Sequence, residues 1–466
     1  MRTDGLALSR QKMLDGDVPQ TAIEVFSRFY RMLETGATGS IPESDIDGIT
    51  DAPSLSDLQV TDDDARAALA VTAVIKLNGG LGTSMGLDRA KSLLRVRDDA
   101  TFLDVIARQV LAVRKDSGAR LPLVLMNSFR TRDDTLAALA AYPDLPVDGV
   151  PLDFLQNREP KLRADDLTPV EWPQDPSLEW CPPGHGDFYT ALYASGALRS
   201  LLDAGFRYAM VSNSDNLGAT PDARLAGWFA ATGAPFAAEV VRRTPADRKG
   251  GQLVVRKADG RTILRETAQT LPDDLATAMD PAIHAFVTTN NLWLDLQALD
   301  AELERTGGVL ELPLIRNEKT VDPTDKTSTP VVQIESAMGA AIEVFEGAAV
   351  VEVDRSRFLP VKTTNDLLVL RSDVYRPTDD YRLVASGPAP FVDLDKRFYA
   401  LVDDFDRRIP VAPSLVEAAS LRVEGDWSLG RGVVVVGEAV LHDAGSPSQV
   451  PDGARVGPSG VAAPAG

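Results

Sequence analysis

The sequence has little that could build a disulfide framework or a cysteine-rich metal site. Cys181 is the only cysteine among 466 residues, and there are three histidines. A single thiol excludes an intramolecular disulfide and any zinc or iron–sulfur site made of several cysteines. This cysteine usage fits a reducing compartment, so we expect a cytoplasmic protein.

The chain is also short of positive charge and of long apolar runs. Asp and Glu number 68 against 48 Lys and Arg, which leaves a net charge of −20. Such a charge repels nucleic acids and anionic membranes, and no apolar stretch approaches the ~20 residues of a membrane-spanning helix. We therefore expect neither a nucleic-acid partner nor a membrane. A phosphate ligand would have to meet locally placed cations.

Apolar periodicity predicts an N-terminal helical segment followed by an α/β domain. Residues 1–70 show helical spacing, with Ile23, Phe26, Phe29 and Tyr30 on one face. From Ala73 onwards, short apolar runs alternate with amphipathic helices, which is typical of parallel βα units. The pattern predicts strands at 73–77, 123–126, 153–155 and 208–212, and a hairpin within 252–265 that makes the sheet mixed.

The residue pattern of the sequence changes after Tyr375. Short apolar runs are punctuated by glycines from Leu421 onwards, which favours the coils of a β-helix. We therefore divide the chain into a helical segment at 1–70, an α/β domain at 71–375 and a β-helix domain at 376–456. Residues 457–466 are glycine-, proline- and alanine-rich, and are expected to form a disordered tail.

A glycine-rich loop follows the first predicted strand. It reads Asn78-Gly79-Gly80-Leu81-Gly82-Thr83-Ser84-Met85-Gly86, with Lys91-Ser92 beyond. Glycines let successive N–H groups surround an anion, and a lysine adds a full charge, so the loop predicts phosphate binding. Four residues separate the last glycine from Lys91, which excludes a Walker A loop. The glycine spacing also disfavours a dinucleotide-binding fingerprint, although an NAD(P) oxidoreductase stays an alternative.

Three further segments carry candidate functional side chains. Pro182-Pro183-Gly184-His185-Gly186-Asp187 holds a histidine between glycines, where its ring could donate to a phosphate or sugar oxygen. Asn213-Ser214-Asp215-Asn216 follows a buried strand, and Asp215 is the best Mg²⁺ candidate because this ion takes one or two carboxylates. The segment from Arg355 to Lys362 gathers three cations within eight residues of an acidic chain.

Together these segments resemble the signature of the eukaryotic-type UTP-glucose-1-phosphate uridylyltransferases, or UDP-glucose pyrophosphorylases. The similarity runs in order through residues 70–375 and continues more weakly to about Val456. It implies a Rossmann-like nucleotidyltransferase core with a mixed sheet and a C-terminal left-handed β-helix. It also implies Mg²⁺ as cofactor, UTP and glucose 1-phosphate as substrates, and a homo-oligomer formed through the C-terminal domain.

The resemblance assigns a role to each matching residue. Lys91 and Lys362 act on the phosphates from opposite sides, and Asp215 binds the metal. His185, Asn290 and Asn291 lie beside the sugar phosphate. Nucleotide binding falls to Leu77, Asn78, Gly79, Gly80, Gln156, Gly184 and Asn213.

Three alternatives stay open beside the glucose enzyme. One is a uridylyltransferase for N-acetylglucosamine 1-phosphate or for several sugar 1-phosphates, which use related loops. Asn78-Gly79-Gly80 and the stretch from Thr83 to Gly86 favour glucose. The others are an NAD(P)-dependent oxidoreductase on a similar fold and a non-catalytic nucleotide-sugar sensor.

Overall fold

The computed structural model describes residues 4–97, 99–244, 247 and 250–462. The α-helices of this part of the chain are α1 Gly5–Asp15, α2 Gln20–Glu34, α3 Asp62–Ala70, α4 Phe102–Ser117, α5 Arg132–Leu139, α6 Phe188–Ala194, α7 Ala197–Asp203, α8 Ala223–Thr232, α9 Leu275–Ala278, α10 Leu296–Thr306, α11 Thr364–Arg371, α12 Lys396–Tyr399 and α13 Val402–Arg408.

The strands fall into two groups along the chain. Those before Tyr375 are β1 Ile46–Gly48, β2 Thr72–Asn78, β3 Arg95–Arg97, β4 Ala100–Thr101, β5 Leu123–Asn127, β6 Asp153–Leu155, β7 Glu159–Pro160, β8 Leu162–Arg163, β9 Trp180–Cys181, β10 Tyr208–Asn213, β11 Phe236–Arg242, β12 Gln252–Arg256, β13 Thr262–Arg265, β14 Phe286–Asp295, β15 Ile315–Thr320, β16 Pro330–Glu335 and β17 Ala349–Glu352. Those from Tyr375 onwards are β18 Tyr375–Pro377, β19 Leu383–Ala385, β20 Phe391–Leu394, β21 Ser414–Val423, β22 Trp427–Leu429, β23 Val434–Leu441, β24 Ser448–Val450, β25 Arg455–Gly457 and β26 Gly460–Ala462.

A seven-stranded mixed sheet forms the centre of the molecule, as the sequence predicts. Its order is β17-β11-β14-β10-β2-β5-β6, and β14 runs antiparallel to both of its neighbours. β2, β5, β6 and β10 are parallel. Every residue of β2 is buried because apolar side chains pack against both faces of the sheet. The four predicted strands are present in this sheet. The predicted hairpin, β12 with β13, forms a separate sheet with β1, so the central sheet is mixed because of β14 and not because of the hairpin.

The predicted N-terminal helical face is also confirmed. Helix α2 buries Ile23, Phe26, Phe29 and Tyr30 along the face that the spacing indicates. Helix α4 begins at a capping box in which Thr101 and Asp104 satisfy each other's backbone N–H groups. Among the described residues, no helix is long and apolar enough to cross a bilayer.

Strands beyond Tyr375 build a separate sheet in the order β20-β21-β23-β25-β26. The first four are parallel neighbours, and β22 pairs in parallel with β24. The last strand corrects the expectation of a disordered tail at 457–466. β25 and β26 form an antiparallel hairpin, because Pro458-Ser459-Gly460 makes a tight turn with Gly460 at φ 88°. Residues 463–466 lie outside the described residues.

Candidate active site

The carboxyl ends of β2 and β10 lie side by side at one edge of the central sheet. Asn213 pairs with Leu77, and the N–H of Ser214 donates to the Leu77 carbonyl at 3.1 Å. The glycine-rich loop and the Asn213–Asn216 segment therefore open into the same space, where open α/β sheets bind ligands. A cavity of about 270 Å³, here called the catalytic cavity, is lined by Leu77, Gly79, Gly80, Lys91, Met126, Gln156, Pro182, Gly184, His185, Asn213, Ser214, Asp215 and Glu335.

Lys91 and Lys362 meet on one oxygen of Asp215. The Lys91 Nζ lies 2.7 Å from Asp215 Oδ2 and the Lys362 Nζ lies 3.3 Å from the same atom. Lys91 also donates to the Val361 carbonyl and is largely buried, whereas the Lys362 side chain is 60% exposed. Burial opposes ionisation of Asp215, but the charges of Lys362 and Lys91 outweigh it and lower the pKa of its carboxyl. The carboxylate is therefore ionised and holds two cations at the cavity.

The other oxygen of Asp215 has properties that suit a metal ligand. Asp215 Oδ1 is buried and has no hydrogen-bond partner in the described part of the chain. An ionised carboxylate with one satisfied and one orphaned oxygen fits a hard divalent cation that completes its shell with phosphate oxygens and water. Among the described residues, no group of three or more His, Cys, Asp or Glu side chains could hold a metal by itself. Asp215 would therefore bind the ion together with phosphate oxygens and water.

The glycine-rich loop folds back so that Lys91 reaches the cavity. Gly82 has φ 68°, and a Cβ there would lie 3.2 Å from the Lys91 Cγ. The N–H of Lys91 donates to the Gly80 carbonyl at 3.0 Å, which closes the loop. Glycine at position 82 thus serves both the left-handed turn and the close passage of the lysine.

Gln156 is held between two glycines of the cavity wall. A Cβ on Gly79 would lie 2.4 Å from the Gln156 Oε1, and the Gln156 Nε2 donates to the Gly184 carbonyl at 3.1 Å. Gly184 has φ 78°, and a Cβ on it would lie 2.5 Å from the Ser336 carbonyl oxygen. Any larger residue at either position would move Gln156 or the Gly184 turn.

Asp187 connects the segment that carries Gln156 to the turn that carries His185. Its Oδ2 accepts the backbone N–H of Asn157 at 2.7 Å and its Oδ1 accepts the Asn157 Nδ2 at 2.8 Å. Burial raises the pKa of Asp187 to about 6, while the bonds from Asn157 favour the ionised form. We call this pair of bonds the Asp187 clamp.

His185 is a half-buried, neutral donor at the cavity. Its Nδ1 accepts the backbone N–H of Met338 at 3.1 Å, so the proton of the neutral ring lies on Nε2. Burial, helped by the charge of Lys362, lowers the pKa of His185 to about 4. The ring therefore stays uncharged at neutral pH.

A buried ion pair lies behind Asp215. It involves Arg357 and Asn291, for which the sequence predicts positions at the ligand site. Arg357 donates to both carboxylate oxygens of Glu239, at 2.7 and 2.8 Å. Asn291 is fully buried and also donates to Glu239, at 3.0 Å. The structure thus places Asn291 in the interior and outside the lining of the catalytic cavity, and of the three cations predicted at 355–362 only Lys362 contacts a lining residue, Asp215.

Asn78 and Asn290 also lie outside the lining of the catalytic cavity. The Asn78 side chain is buried and donates to Asn127 and Thr135, at 2.8 and 2.9 Å. Asn290 has φ 57°, and its buried Oδ1 has no partner among the described residues. The Asn78 side chain therefore fixes the sheet edge, whereas Asn290 keeps an acceptor available.

Two charged side chains near the cavity are missing from the sequence-based site. Lys76 is buried in β2 and donates to the Ser212 Oγ and the Ala219 carbonyl, at 2.8 and 2.7 Å. Burial, with the charge of Arg357, lowers the pKa of Lys76 to about 7. Burial raises the pKa of Glu266 to about 7, and Lys362 opposes this shift. The sequence could have identified Lys76, because it is a lysine within an apolar strand. No motif in the sequence marks Glu266.

Sequence comparison places these features in a known family. The family model described as UTP–glucose-1-phosphate uridylyltransferase matches residues 23–436. A UTP–glucose-1-phosphate uridylyltransferase from Hordeum vulgare is 39% identical over 402 residues, which is 84% of this chain and 82% of the plant protein. The enzyme of that name from Saccharomyces cerevisiae is 39% identical over 378 residues, 80% of this chain and 74% of the yeast protein.

Solved structures agree with the sequence relatives. A UDP-glucose phosphorylase from Trypanosoma brucei superposes with a TM-score of 0.92 at 42% identity, over 97% of this chain and 98% of the other. UDP-glucose pyrophosphorylase from Leishmania major gives a TM-score of 0.92 at 42% identity over 98% of both chains. The chain belongs to the UTP–glucose-1-phosphate uridylyltransferase family.

Proposed function

We propose that this chain is a UTP–glucose-1-phosphate uridylyltransferase, which converts UTP and glucose 1-phosphate to UDP-glucose and pyrophosphate. The observation that carries the proposal is the meeting of Lys91 and Lys362 on Asp215 beside the glycine-rich loop. The glucose 1-phosphate oxygen attacks the α-phosphorus of UTP, and the bond to the β-phosphate breaks. No protein nucleophile is needed, so the protein contributes alignment and charge neutralisation.

The two lysines divide this electrostatic work. Lys91 is held by Asp215 and Val361, and it stabilises the α-phosphate and the leaving pyrophosphate. Lys362 is half exposed and only loosely bonded to Asp215, so it can move to the incoming sugar phosphate. Backbone N–H groups of the loop from Leu77 to Gly82 face the nucleotide phosphates.

Asp215 would also hold a magnesium ion beside the reacting phosphates, through its unpartnered Oδ1. When bound, Mg²⁺ would supply electrostatic stabilisation to the transferring and leaving phosphates. Because Lys91 and Lys362 contact Oδ2, Asp215 would then gather three cations around the polyphosphate.

Base and sugar recognition fall to different groups in and beside the catalytic cavity. The Gln156 amide reads the uracil beside Gly79 and Gly184, and Asn213 contributes at the end of β10. His185 donates its Nε2–H to the sugar phosphate, and the unpartnered Oδ1 of Asn290 accepts from a sugar hydroxyl. Each of these groups is neutral, so recognition adds no charge to the lysine–aspartate centre.

We also propose a finer architecture, which the parallel strand pairing supports. The central sheet is a Rossmann-like nucleotidyltransferase core, and the parallel strands from β20 to β25 form the coils of a left-handed β-helix. This C-terminal domain is the surface through which a homo-oligomer would form. The single cysteine and the acidic charge agree with a cytoplasmic enzyme.

A coupled assay of pyrophosphate release tests the function. Purified protein receives UTP and Mg²⁺ with glucose, galactose or N-acetylglucosamine 1-phosphate, and parallel reactions replace UTP by the other nucleoside triphosphates. We expect turnover with UTP and glucose 1-phosphate, at least tenfold faster than with the other sugars, and its loss when EDTA removes the metal. Equal turnover with N-acetylglucosamine 1-phosphate would instead support a broad UDP-sugar enzyme, and no turnover with any pair would contradict the proposal.

A further inference from the structure

A second, larger cavity adjoins the catalytic cavity, and most of its lining residues have no role in the reaction described above. Its volume is about 810 Å³, and it shares Gly79, Gly80, Gln156 and Pro182 with the smaller one. The volume lies within the range of small-molecule sites. We call it the outer cavity. The shared residues include Gly79 and Gln156, which the proposed function places beside the uracil.

The outer cavity is basic in a protein that carries a net charge of −20. Among the described residues that line it, Glu318 is the single acidic one. The basic lining residues are Arg130, Arg158, Lys161, Lys319 and Lys326. A concentration of positive charge at one concave place on an acidic protein attracts anions.

Lys161 is the residue that sets this cavity apart from an ordinary charged surface. It is only 5% exposed, and its Nζ makes one hydrogen bond in the described part of the chain, to the Val321 carbonyl at 2.8 Å. An ammonium group has three donors, and no carboxylate forms an ion pair with this one. A buried charge without a counter-ion is costly, so proteins keep it where a ligand supplies the opposite charge.

The neighbours of Lys161 increase that cost. Burial lowers the pKa of Lys161, and the charge of Lys319 lowers it further, while Cys181, Asp322 and Asp175 oppose the shift. Lys319 has a carboxylate partner of its own, Glu335, at 3.6 Å, whereas no carboxylate of the described chain forms an ion pair with Lys161. A bound anion would supply that partner.

An aromatic surface stands at the same cavity. Phe129 is 51% exposed, and the Arg158 guanidinium lies 5.5 Å from its ring centre and 4.4 Å from that of Trp180. Arg158 is also anchored to the Gly16 carbonyl at 2.9 Å, so the stack is fixed. Exposed, fixed aromatic rings favour contact with a flat apolar group.

We propose that the outer cavity is a second ligand site, for an organic phosphate whose phosphate group meets Lys161 and Lys319 and whose aromatic body lies against Phe129. The site is separate from the one that binds the reacting nucleotide, although the two share a wall. A ligand bound there contacts Gly79 and Gln156, which also line the catalytic cavity. It therefore influences the affinity of the enzyme for UTP.

Calorimetric titration with adenosine 5′-monophosphate tests the site. The protein is first saturated with UDP-glucose, a step that rests on the proposed function and is verified by its own titration. We expect one equivalent of adenosine 5′-monophosphate to bind to this complex. Adenosine, which lacks the phosphate, and inorganic phosphate, which lacks the aromatic body, should each bind at least tenfold more weakly.

Two variants locate the binding. Lys161→Met keeps the length and burial of the side chain but removes its charge, and it should weaken adenosine 5′-monophosphate binding at least tenfold. Lys319→Ala should weaken it as well, whereas Lys115→Met, at an exposed lysine of α4, should bind like wild type. We also expect Lys161→Met to keep or raise the melting temperature, because it removes an unpaired buried charge.

Three outcomes would overturn the proposal. Adenosine 5′-monophosphate does not bind to the UDP-glucose complex, or UDP-glucose competes with it, or its affinity is the same in both lysine variants and in wild type. A failure of UDP-glucose itself to bind would instead count against the proposed function, so the two failures can be told apart.

Discussion

At the scale of single residues, the reaction depends on a balance of charge around Asp215. This carboxylate is buried, bonded to two lysines through one oxygen, and unpartnered at the other. Removing it leaves Lys91 without its anionic partner and removes the proposed metal ligand. We therefore expect substitutions at Asp215 to change activity mainly through the loss of charge and less through a change of shape.

Asp215→Asn should lower kcat by about 10²–10³-fold or more, the range seen when one electrostatic stabiliser is lost. The amide keeps the size of the side chain, so the melting temperature should change little. Pyrophosphate release at saturating substrates measures kcat. A titration with Mg²⁺ should show that the variant needs a higher Mg²⁺ concentration for half-maximal activity. A variant with wild-type kcat and Mg²⁺ dependence would contradict the assignment.

The lowered pKa of His185 predicts how the stability of the fold depends on pH. Its pKa is lowered to about 4 in the fold, against an unfolded value near 6.5. As the pH falls, His185 therefore takes up a proton in the unfolded chain at a higher pH than in the folded chain. The free energy of unfolding falls between pH 6.5 and pH 4, by up to about 2 kcal/mol between pH 7 and pH 5.

The variant His185→Gln removes this proton linkage. Its melting temperature should fall less between pH 7 and pH 5 than that of wild type, as followed by circular dichroism. The buried carboxyl groups titrate in both proteins, so their effect cancels in the comparison. Parallel losses in the two proteins would mean that the fold does not hold His185 in its neutral form.

At the scale of elements, two turns have to hold Gln156 in place. The Asp187 clamp joins the segment after β6 to the turn before α6. Protonation of Asp187 removes an acceptor, and its pKa of about 6 places this change just below neutral pH. The clamp should therefore loosen in mild acid.

Asp187→Asn should raise the KM for UTP several-fold with little change in the KM for glucose 1-phosphate, and should reduce the preference for UTP over CTP. In wild type the KM for UTP should rise as the pH falls through 6, whereas in the variant it should already be high and nearly flat. Asp133→Asn, at an exposed carboxylate of α5, is the control. If nucleotide preference and pH profile match wild type, the clamp does not position Gln156.

Gly184 and Gly196 offer a matched pair of turns. Both have φ 78°, but a Cβ would meet the Ser336 backbone at 2.5 Å in Gly184 and nothing within 4 Å in Gly196. Alanine at 196 should cost only the left-handed strain of about 1 kcal/mol and leave activity unchanged. Gly184→Ala should lower both the melting temperature and UTP affinity substantially more. Equal effects of the two substitutions would show that φ, and not the close approach, matters.

Local patterns account for what the sequence predicts well. The strands at 73–77 and 208–212 are buried apolar runs, and their parallel pairing brings Lys91 and Asp215 to one edge. Asn291 could not be placed in the same way. Strand β11 shifts register against β14 between Ala238 and Val240, and Asn290 has φ 57°, so strand alternation does not predict which way these asparagines point.

At the scale of the whole molecule, an acidic protein has to bind two anionic substrates. The net charge of −20 opposes their approach, whereas Lys91 lines the catalytic cavity and five basic side chains line the outer cavity. Lys91, Lys362 and the glycine-rich loop therefore provide local attraction against a repulsive surface. This arrangement favours binding at one place and disfavours nonspecific association with nucleic acids.

The central claim is that these groups transfer uridylyl from UTP to glucose 1-phosphate. The most direct test incubates wild-type protein and Lys91→Met with UTP, Mg²⁺ and glucose 1-phosphate and follows UDP-glucose and pyrophosphate by chromatography and mass spectrometry. We expect wild type to form both products in equal amounts and Lys91→Met to form them at least 100-fold more slowly, on the scale of one lost electrostatic stabiliser. Absence of UDP-glucose with wild type, or equal rates for the two proteins, would contradict the account.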